Sequence, residues 1–259
     1  MTLPIYHVDA FTSNLFGGNP AAVCPLEKWL PDLVMQKLAA ENNLSETAFF
    51  VKEGGEYHIR WFTPEMEIDL CGHATLASAY VIFHHTSHSS DVIRFNCKSG
   101  LLEVHKMDDK IQLDFPARMP VETAAPDALF KGINIAPSLV LKSRDYFLVY
   151  DDEKYIRQIV PDYSYWNKLD VVGIIVTAPG REVDFVSRFF VPNSVIAEDP
   201  VTGSAHCSLI PYWAKELGKE QLYAKQLSPR EGELFCENKG DRVTMSGKAV
   251  LYLKGEYYI

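Results

Sequence analysis

The sequence predicts an α+β protein of two similar, pseudo-symmetric lobes, each a mostly antiparallel curled sheet around one central helix. Three observations predict it. Motifs recur in the same order about 130 residues apart. Short runs alternate apolar and polar side chains with period 2 and are rich in β-branched and aromatic residues. Each half also holds one long apolar helical pattern opened by a glycine, at Gly72 and at Gly203.

Taken along the chain, the first strand is Ile5–Phe11, read from its alternation. Pro31-Asp32 opens a helix to Asn43, because proline is tolerated at a helix start and an acid favours the first turn. Strands follow at Glu46–Val51 and Tyr57–Phe62, split by the turn signal Lys52-Glu53-Gly54-Gly55. The Gly72 helix comes next, then strands at Val92–Cys97, Leu101–Lys106 and Lys110–Phe115, the last two separated by Met107-Asp108-Asp109. Residues 116–138 carry Pro116, Pro120, Pro126 and Pro137 with a short helix near Asp127, and form the crossover between lobes 1–118 and 119–259. Beyond it lie strands at Ser138–Ser143, Tyr146–Asp151, Gly173–Ala178 and Val183–Phe190, the Gly203 helix, Gly232–Asn238, Asp241–Gly247 and Ala249–Gly255. A terminal strand crossing between lobes is compatible with this order.

The repeat is specific. Arg60-Trp61-Phe62-Thr63-Pro64 matches Arg188-Phe189-Phe190-Val191-Pro192, Gly72 matches Gly203, and the run from Gly100 matches the run from Gly232. Pro31-Asp32 before one strand matches Pro161-Asp162 before another.

With 259 residues the chain can bury a core without staples. Its 47% hydrophobic and 23% charged content is that of a globular protein. A net charge of −9 argues against non-specific nucleic-acid or anionic-membrane binding. No apolar run reaches the roughly 20 residues of a membrane span, and the N-terminal stretch lacks a secretory pattern. Five widely spaced cysteines without a CxxC pair fit a reducing cytoplasm better than a disulfide framework or a structural zinc site. His84, His85 and His88 read as the polar end of a helix and its loop, not as a metal site. No GxGxxG or P-loop pattern occurs, so no nucleotide or flavin cofactor is expected.

Candidate chemistry gathers at the helix starts. Unpaired N–H groups at Gly72-His73 and Gly203-Ser204-Ala205 can hold an anion, and the two starts would serve one cleft if the lobes face each other. The plainer alternative is that the glycines allow close packing. Glu46 sits where a polar loop enters an apolar strand, which suits a general base, while a solvated edge Glu is the bland reading. His73 lies in a first helical turn, where the dipole favours a neutral ring. Asp199 precedes the second helix, either as an ordinary dipole-favoured acid or as a group orienting His73 or substrate. Cys71 is a small buried residue or a thiol activated by the helix start; its counterpart is Thr202.

The segments Asp9-Ala10-Phe11, Gly17-Gly18-Asn19-Pro20-Ala21, Asn43-Leu44-Ser45-Glu46-Thr47-Ala48-Phe49, Arg60–Pro64, Leu70-Cys71-Gly72-His73-Ala74-Thr75 and Glu198–Ala205 together resemble the phenazine-biosynthesis PhzF-like isomerases. The resemblance implies the diaminopimelate-epimerase-like fold, with the site between the lobes, and a homodimer. It implies Glu46 as general acid/base, with His73 and Asp199 as catalytic partners. Substrate binding is placed at Asn19, Ser45, Gly72, Gly203, Ser204 and Ala205, and no metal is implied. The wider fold includes racemases with two facing cysteines; Thr202 at the second position argues against that chemistry here. The expected protein is a cofactor-independent isomerase moving a proton between carbons of a small carboxylate-bearing substrate. The alternatives are an amino-acid epimerase or racemase, and a non-catalytic small-molecule-binding or protein-interaction module.

Overall fold

In the computed structural model, which describes residues 2–259, the chain divides into two units. One contains the chain up to Asp114 together with Met245–Ile259; the other is Phe115–Thr244. Chain order alone puts the last strand, Ala249–Tyr258, in the second half, but it runs antiparallel to Thr2–Ala10 and belongs to the first unit.

Each unit repeats one plan. In the first, Asn19–Leu26 runs parallel to Glu46–Glu53, and Glu56–Phe62 runs parallel to Val92–Cys97. In the second, Tyr146–Val149 runs parallel to Ile174–Pro179, and Phe185–Phe190 runs parallel to Gln221–Gln226. The pairings around them are antiparallel. The parallel pairs have a simple cause: parallel neighbours need a crossover, and a helix provides it. Asp32–Asn42 makes the first crossover and Gly72–His85 the second; Gly203–Leu217 makes the matching crossover in the other unit. The fold is therefore α+β with two similar lobes, each a mostly antiparallel sheet about a central helix.

The two central helices are buried because they are apolar on nearly every side. Every residue from His73 to Ala79 of the first is buried, as is every residue from Ala205 to Ala214 of the second. The second helix contains Pro211, which lacks the N–H that would bond the Cys207 carbonyl. That carbonyl accepts instead from the backbone N–H of Arg118 at 2.8 Å. The crossover segment thus completes a helix that its own sequence leaves unsatisfied.

The repeat extends to an ion pair. Arg60 Nε and Nη2 grip Glu67 at 2.7 and 2.8 Å; Arg188 grips Glu198 at the same two distances. Both acids occupy the short strand opposite the end of the arginine's own strand.

Several elements lie outside what alternation reveals. Strand Asn19–Leu26 is interrupted by Pro20 and Pro25, and the short helices Glu153–Gln158 and Tyr163–Trp166 fall in a polar stretch. His84 and His85 form the last turn of their helix; His85 stacks near Tyr6, and His88 Nδ1 meets the Tyr57 hydroxyl at 3.3 Å. Among the described residues no helix is long and apolar enough to cross a membrane.

Candidate active site

The first unit brings three loop ends to the start of the Gly72–His85 helix. The first is the turn before Asn19. Asp9 is buried, and its carboxylate accepts the Phe16 N–H at 3.0 Å, which folds residues 12–18 back on the strand. Gly18 sits at φ +60°, and a Cβ there would lie 2.1 Å from the Ala10 carbonyl oxygen, so only glycine closes this turn. The turn delivers the wholly buried Asn19 side chain to His73, with Nδ2 3.1 Å from Nδ1.

The second is the turn before Glu46. The preceding helix ends at Asn43 in the left-handed region, its N–H bonded to the Ala39 carbonyl. Asn42 donates to Thr47 Oγ1 at 2.9 Å and accepts from the Tyr257 hydroxyl at 2.8 Å. The C-terminal strand thereby pins the segment that carries Glu46. Ser45, half-buried, is the last residue before the strand begins at Glu46.

The third is Cys71, the residue before the helix. Glu46 Oε2 lies 3.1 Å from His73 Nε2, and Cys71 Sγ lies 3.5 Å from His73 Nδ1. The Glu46 side chain is 16% exposed and that of His73 is 5% exposed. Neither Glu46 Oε2 nor His73 Nε2 has an aligned hydrogen bond, so this pair holds unused hydrogen-bonding capacity facing each other in a buried place.

Burial opposes a charged His73 ring, the Cys71 and Glu46 groups favour it, and the balance holds its pKa well above the ordinary histidine value. Burial and the Glu46 carboxylate push the Cys71 thiol up to about 11, so the thiol stays protonated near neutrality. The helix dipole favours a neutral ring at this position; Cys71 and Glu46 at contact distance outweigh it.

The other candidates lie in the second unit. Asp199 accepts from the Thr202 hydroxyl. The wholly buried Gln226 ties the segment together: its Nε2 donates to the Asp199 carbonyl at 2.7 Å and its Oε1 accepts the Thr202 N–H at 2.9 Å. Gly203 and Ala205 are buried at the helix start, and Ser204 Oγ accepts from Arg144 Nη2 at 3.0 Å. Arg144 also holds the buried Asp145 through Nε and Nη2. No sequence motif marks Gln226, Arg144 or Tyr257, because the contacts that tie them to Thr202, Ser204 and Asn42 bridge 24, 60 and 215 positions.

The first unit thus unites Asn19, Glu46 and His73, with Cys71 added and Gly72 at the helix start. The second unites Asp199, Gly203, Ser204 and Ala205. Register gives a further contrast. Thr47 pairs with Phe62 and Ile174 with Phe190, so the residue corresponding to Glu46 is Gly173. A Cβ at Gly173 would lie 2.1 Å from the Phe189 ring. The second unit has no room for a carboxylate where the first has one.

The model of the phenazine biosynthesis-like protein family, PhzC-PhzF, matches residues 8–255. The chain is 51% identical over 259 residues to an uncharacterized isomerase of Pseudomonas aeruginosa, covering all of both proteins. It is similar to the crystal structure of a PhzF-family phenazine biosynthesis protein from Enterococcus faecalis, with TM-score 0.97 and 51% identity, again over the whole of both chains. A hydroxyproline epimerase from Agrobacterium vitis shares the fold at TM-score 0.62 and 9% identity, over 98% of this chain and 92% of that one.

Proposed function

This chain belongs to the phenazine biosynthesis-like family, and from that premise we propose that it is a cofactor-independent isomerase in which Glu46 moves a proton between two carbons of a small carboxylate-bearing substrate. The observation that carries the reading is the 3.1 Å approach of Glu46 Oε2 to His73 Nε2 at a helix start. Relatives named as isomerases support the reaction class.

In this reading the Glu46 carboxylate accepts a carbon-bound proton. The electron pair of that C–H bond passes into the substrate's conjugated carboxylate, and the N–H groups at the Gly72 helix start stabilise the charge that develops. Glu46, now a carboxylic acid, donates the same proton to another carbon on the same face. His73 keeps Glu46 oriented, and the Asn19 amide keeps the His73 ring oriented in turn. Asp199, held by Thr202 and Gln226, is assigned to substrate positioning, along with Ser45, Gly203, Ser204 and Ala205. A thiol mechanism is less suited: Cys71 is buried and protonated, and Thr202 stands at its counterpart position.

The test is deuterium incorporation from D₂O into a panel of unsaturated cyclic and amino-acid carboxylates, read by NMR. The wild type is expected to label one class of substrate, and Glu46→Gln to lose labelling while binding persists. Inactivation by Cys71→Ser with full activity in Glu46→Gln would overturn the reading in favour of thiol-based epimerisation. A homodimer is part of the same reading, checked by light scattering.

A further inference from the structure

We propose that Glu46, Cys71 and His73 also form a binding site for a borderline or soft divalent cation, zinc or cadmium, whose occupancy blocks proton transfer. The blocking effect rests on the isomerase reading above; the site itself does not.

Among the described residues this is the group in which three potential metal donors converge. One donor atom from each residue, a carboxylate oxygen, a thiol sulfur and an imidazole nitrogen, lies within 4.8 Å of the other two. The Cys71 Sγ to His73 Nδ1 separation of 3.5 Å is what two tetrahedral ligands subtend at zinc, with bonds of about 2.3 Å to sulfur and roughly 2.0 Å to nitrogen. Cys71 and His73 are both more than nine-tenths buried. The donor set is decisive about chemistry. Calcium and magnesium take oxygen ligands, whereas a sulfur, a nitrogen and one carboxylate select zinc-like ions. Three protein ligands leave a fourth position for water or for the carboxylate of a substrate.

Three of the other four thiols are occupied otherwise. Cys24 faces the Tyr257 hydroxyl, Cys97 the Gly100 carbonyl and Cys207 the Gly203 carbonyl of its own helix. Only the Cys71 thiol among these faces an imidazole. The buried Glu46 Oε2 has no aligned hydrogen bond, which marks polar capacity that a cation would use once the carboxylate turns from the Nε2 edge of the ring to the Nδ1 edge.

Binding exchanges two protons for the metal: the Cys71 S–H bond and the N–H bond at the coordinating nitrogen of the His73 imidazolium break, both protons leave to solvent, and the sulfur and the ring nitrogen bond the ion. Asn19 Nδ2, now 3.1 Å from His73 Nδ1, gives way to the ion. Glu46, the least buried of the three and the first residue of its strand, turns to complete the set. Once its oxygen coordinates the ion it can no longer accept a carbon-bound proton.

The experiment titrates the reduced, EDTA-treated full-length protein with Cd²⁺ and follows the ultraviolet thiolate-to-cadmium charge-transfer band, with calorimetry for stoichiometry. One saturable site per chain is expected. Cys71→Ser, a near-isosteric change, should abolish the band. Glu46→Gln and His73→Gln should each weaken binding by at least the roughly tenfold that losing an outer-shell partner costs. Cys97→Ser, which alters the half-exposed thiol outside the site, should leave the titration unchanged. A band that survives Cys71→Ser, or one that vanishes in Cys97→Ser, overturns the proposal. The band needs no substrate, so its failure is separate from failure of the isomerase reading. With an active substrate in hand, Cd²⁺ should stop deuterium labelling and EDTA should restore it.

Discussion

The two units share a frame down to the atoms of one ion pair, yet their helix starts carry different chemistry. Arg60–Glu67 and Arg188–Glu198 are built alike. Beside the first helix start, His73 meets Asn19, Glu46 and Cys71. Beside the second, Ser204 meets Arg144, and the position matching Glu46 is a glycine pressed against Phe189. Duplication therefore supplied two scaffolds, with a carboxylate–imidazole pair beside the first helix start and, among the described residues, none beside the second. The difference teaches that the residues making the frame and those making the chemistry are separable: strand ends and clamps repeat, and the residues that flank them diverge.

The largest expected effect tests that division directly. Glu46→Gln is expected to lower kcat by roughly 10²–10⁴-fold, the usual range for removing a general acid/base, and Asp199→Asn by about tenfold, because its assigned role is positioning. Single-turnover labelling in D₂O checks both. Equal losses would end the claim that proton transfer belongs to the first unit.

The clamps come next. Arg188 also donates to the carbonyls of Ile156 and Ile159 at 3.1 and 2.9 Å, where the short helix Glu153–Gln158 ends. Arg60 instead reaches the exposed Asp32, and Lys98 still neutralises Glu67 when Arg60 is gone. Arg188→Met should therefore cost about 3 kcal/mol or more, and Arg60→Met about half that, by urea denaturation. Equal costs would mean that the clamps work as isolated ion pairs.

Acid should strike the second unit through His206. Its ring is wholly buried, Nδ1 lies 2.8 Å from the Thr202 carbonyl, and Nε2 has no partner among the described residues. Burial lowers its pKa from 6.5 to about 4, despite that hydrogen bond. Between those values the unfolded chain binds a proton that the folded chain refuses. This contribution is thus complete above about pH 6.5 and is lost as pH falls toward about 4, on the order of 3 kcal/mol in all. Unfolding midpoints of wild type and His206→Gln at about pH 7 and about pH 4.5 check it; the variant should show the smaller acid-induced drop. Smallest is Gly173→Ala, which should cost about 1–3 kcal/mol by overpacking against Phe189. A neutral outcome would show that the ring has room to move and that the second unit could hold a side chain there.

Much of this was legible in the chain itself. Order and spacing revealed the duplication, because each copy must bury one apolar helix and cover it with strands, and that demand writes the same pattern twice. The glycines at Gly72 and Gly203 and the motifs around Glu46, His73 and Asp199 marked the candidate groups, because backbone constraints at helix starts act within a few residues. Tertiary structure decided the rest. Asn19 and His73 are 54 positions apart, and Asn42 and Tyr257 are 215 apart. The strand bearing Asn19 is masked by prolines, and nothing local shows that the last strand returns to the first unit. Side-chain partnership, unlike periodicity, depends on which distant backbone arrives alongside. The charge on His73 illustrates it: burial and a first helical turn favour the neutral ring, and the arrival of Cys71 and Glu46 beside it reverses that preference, because groups at contact distance in a buried place outweigh a partial charge at a helix end.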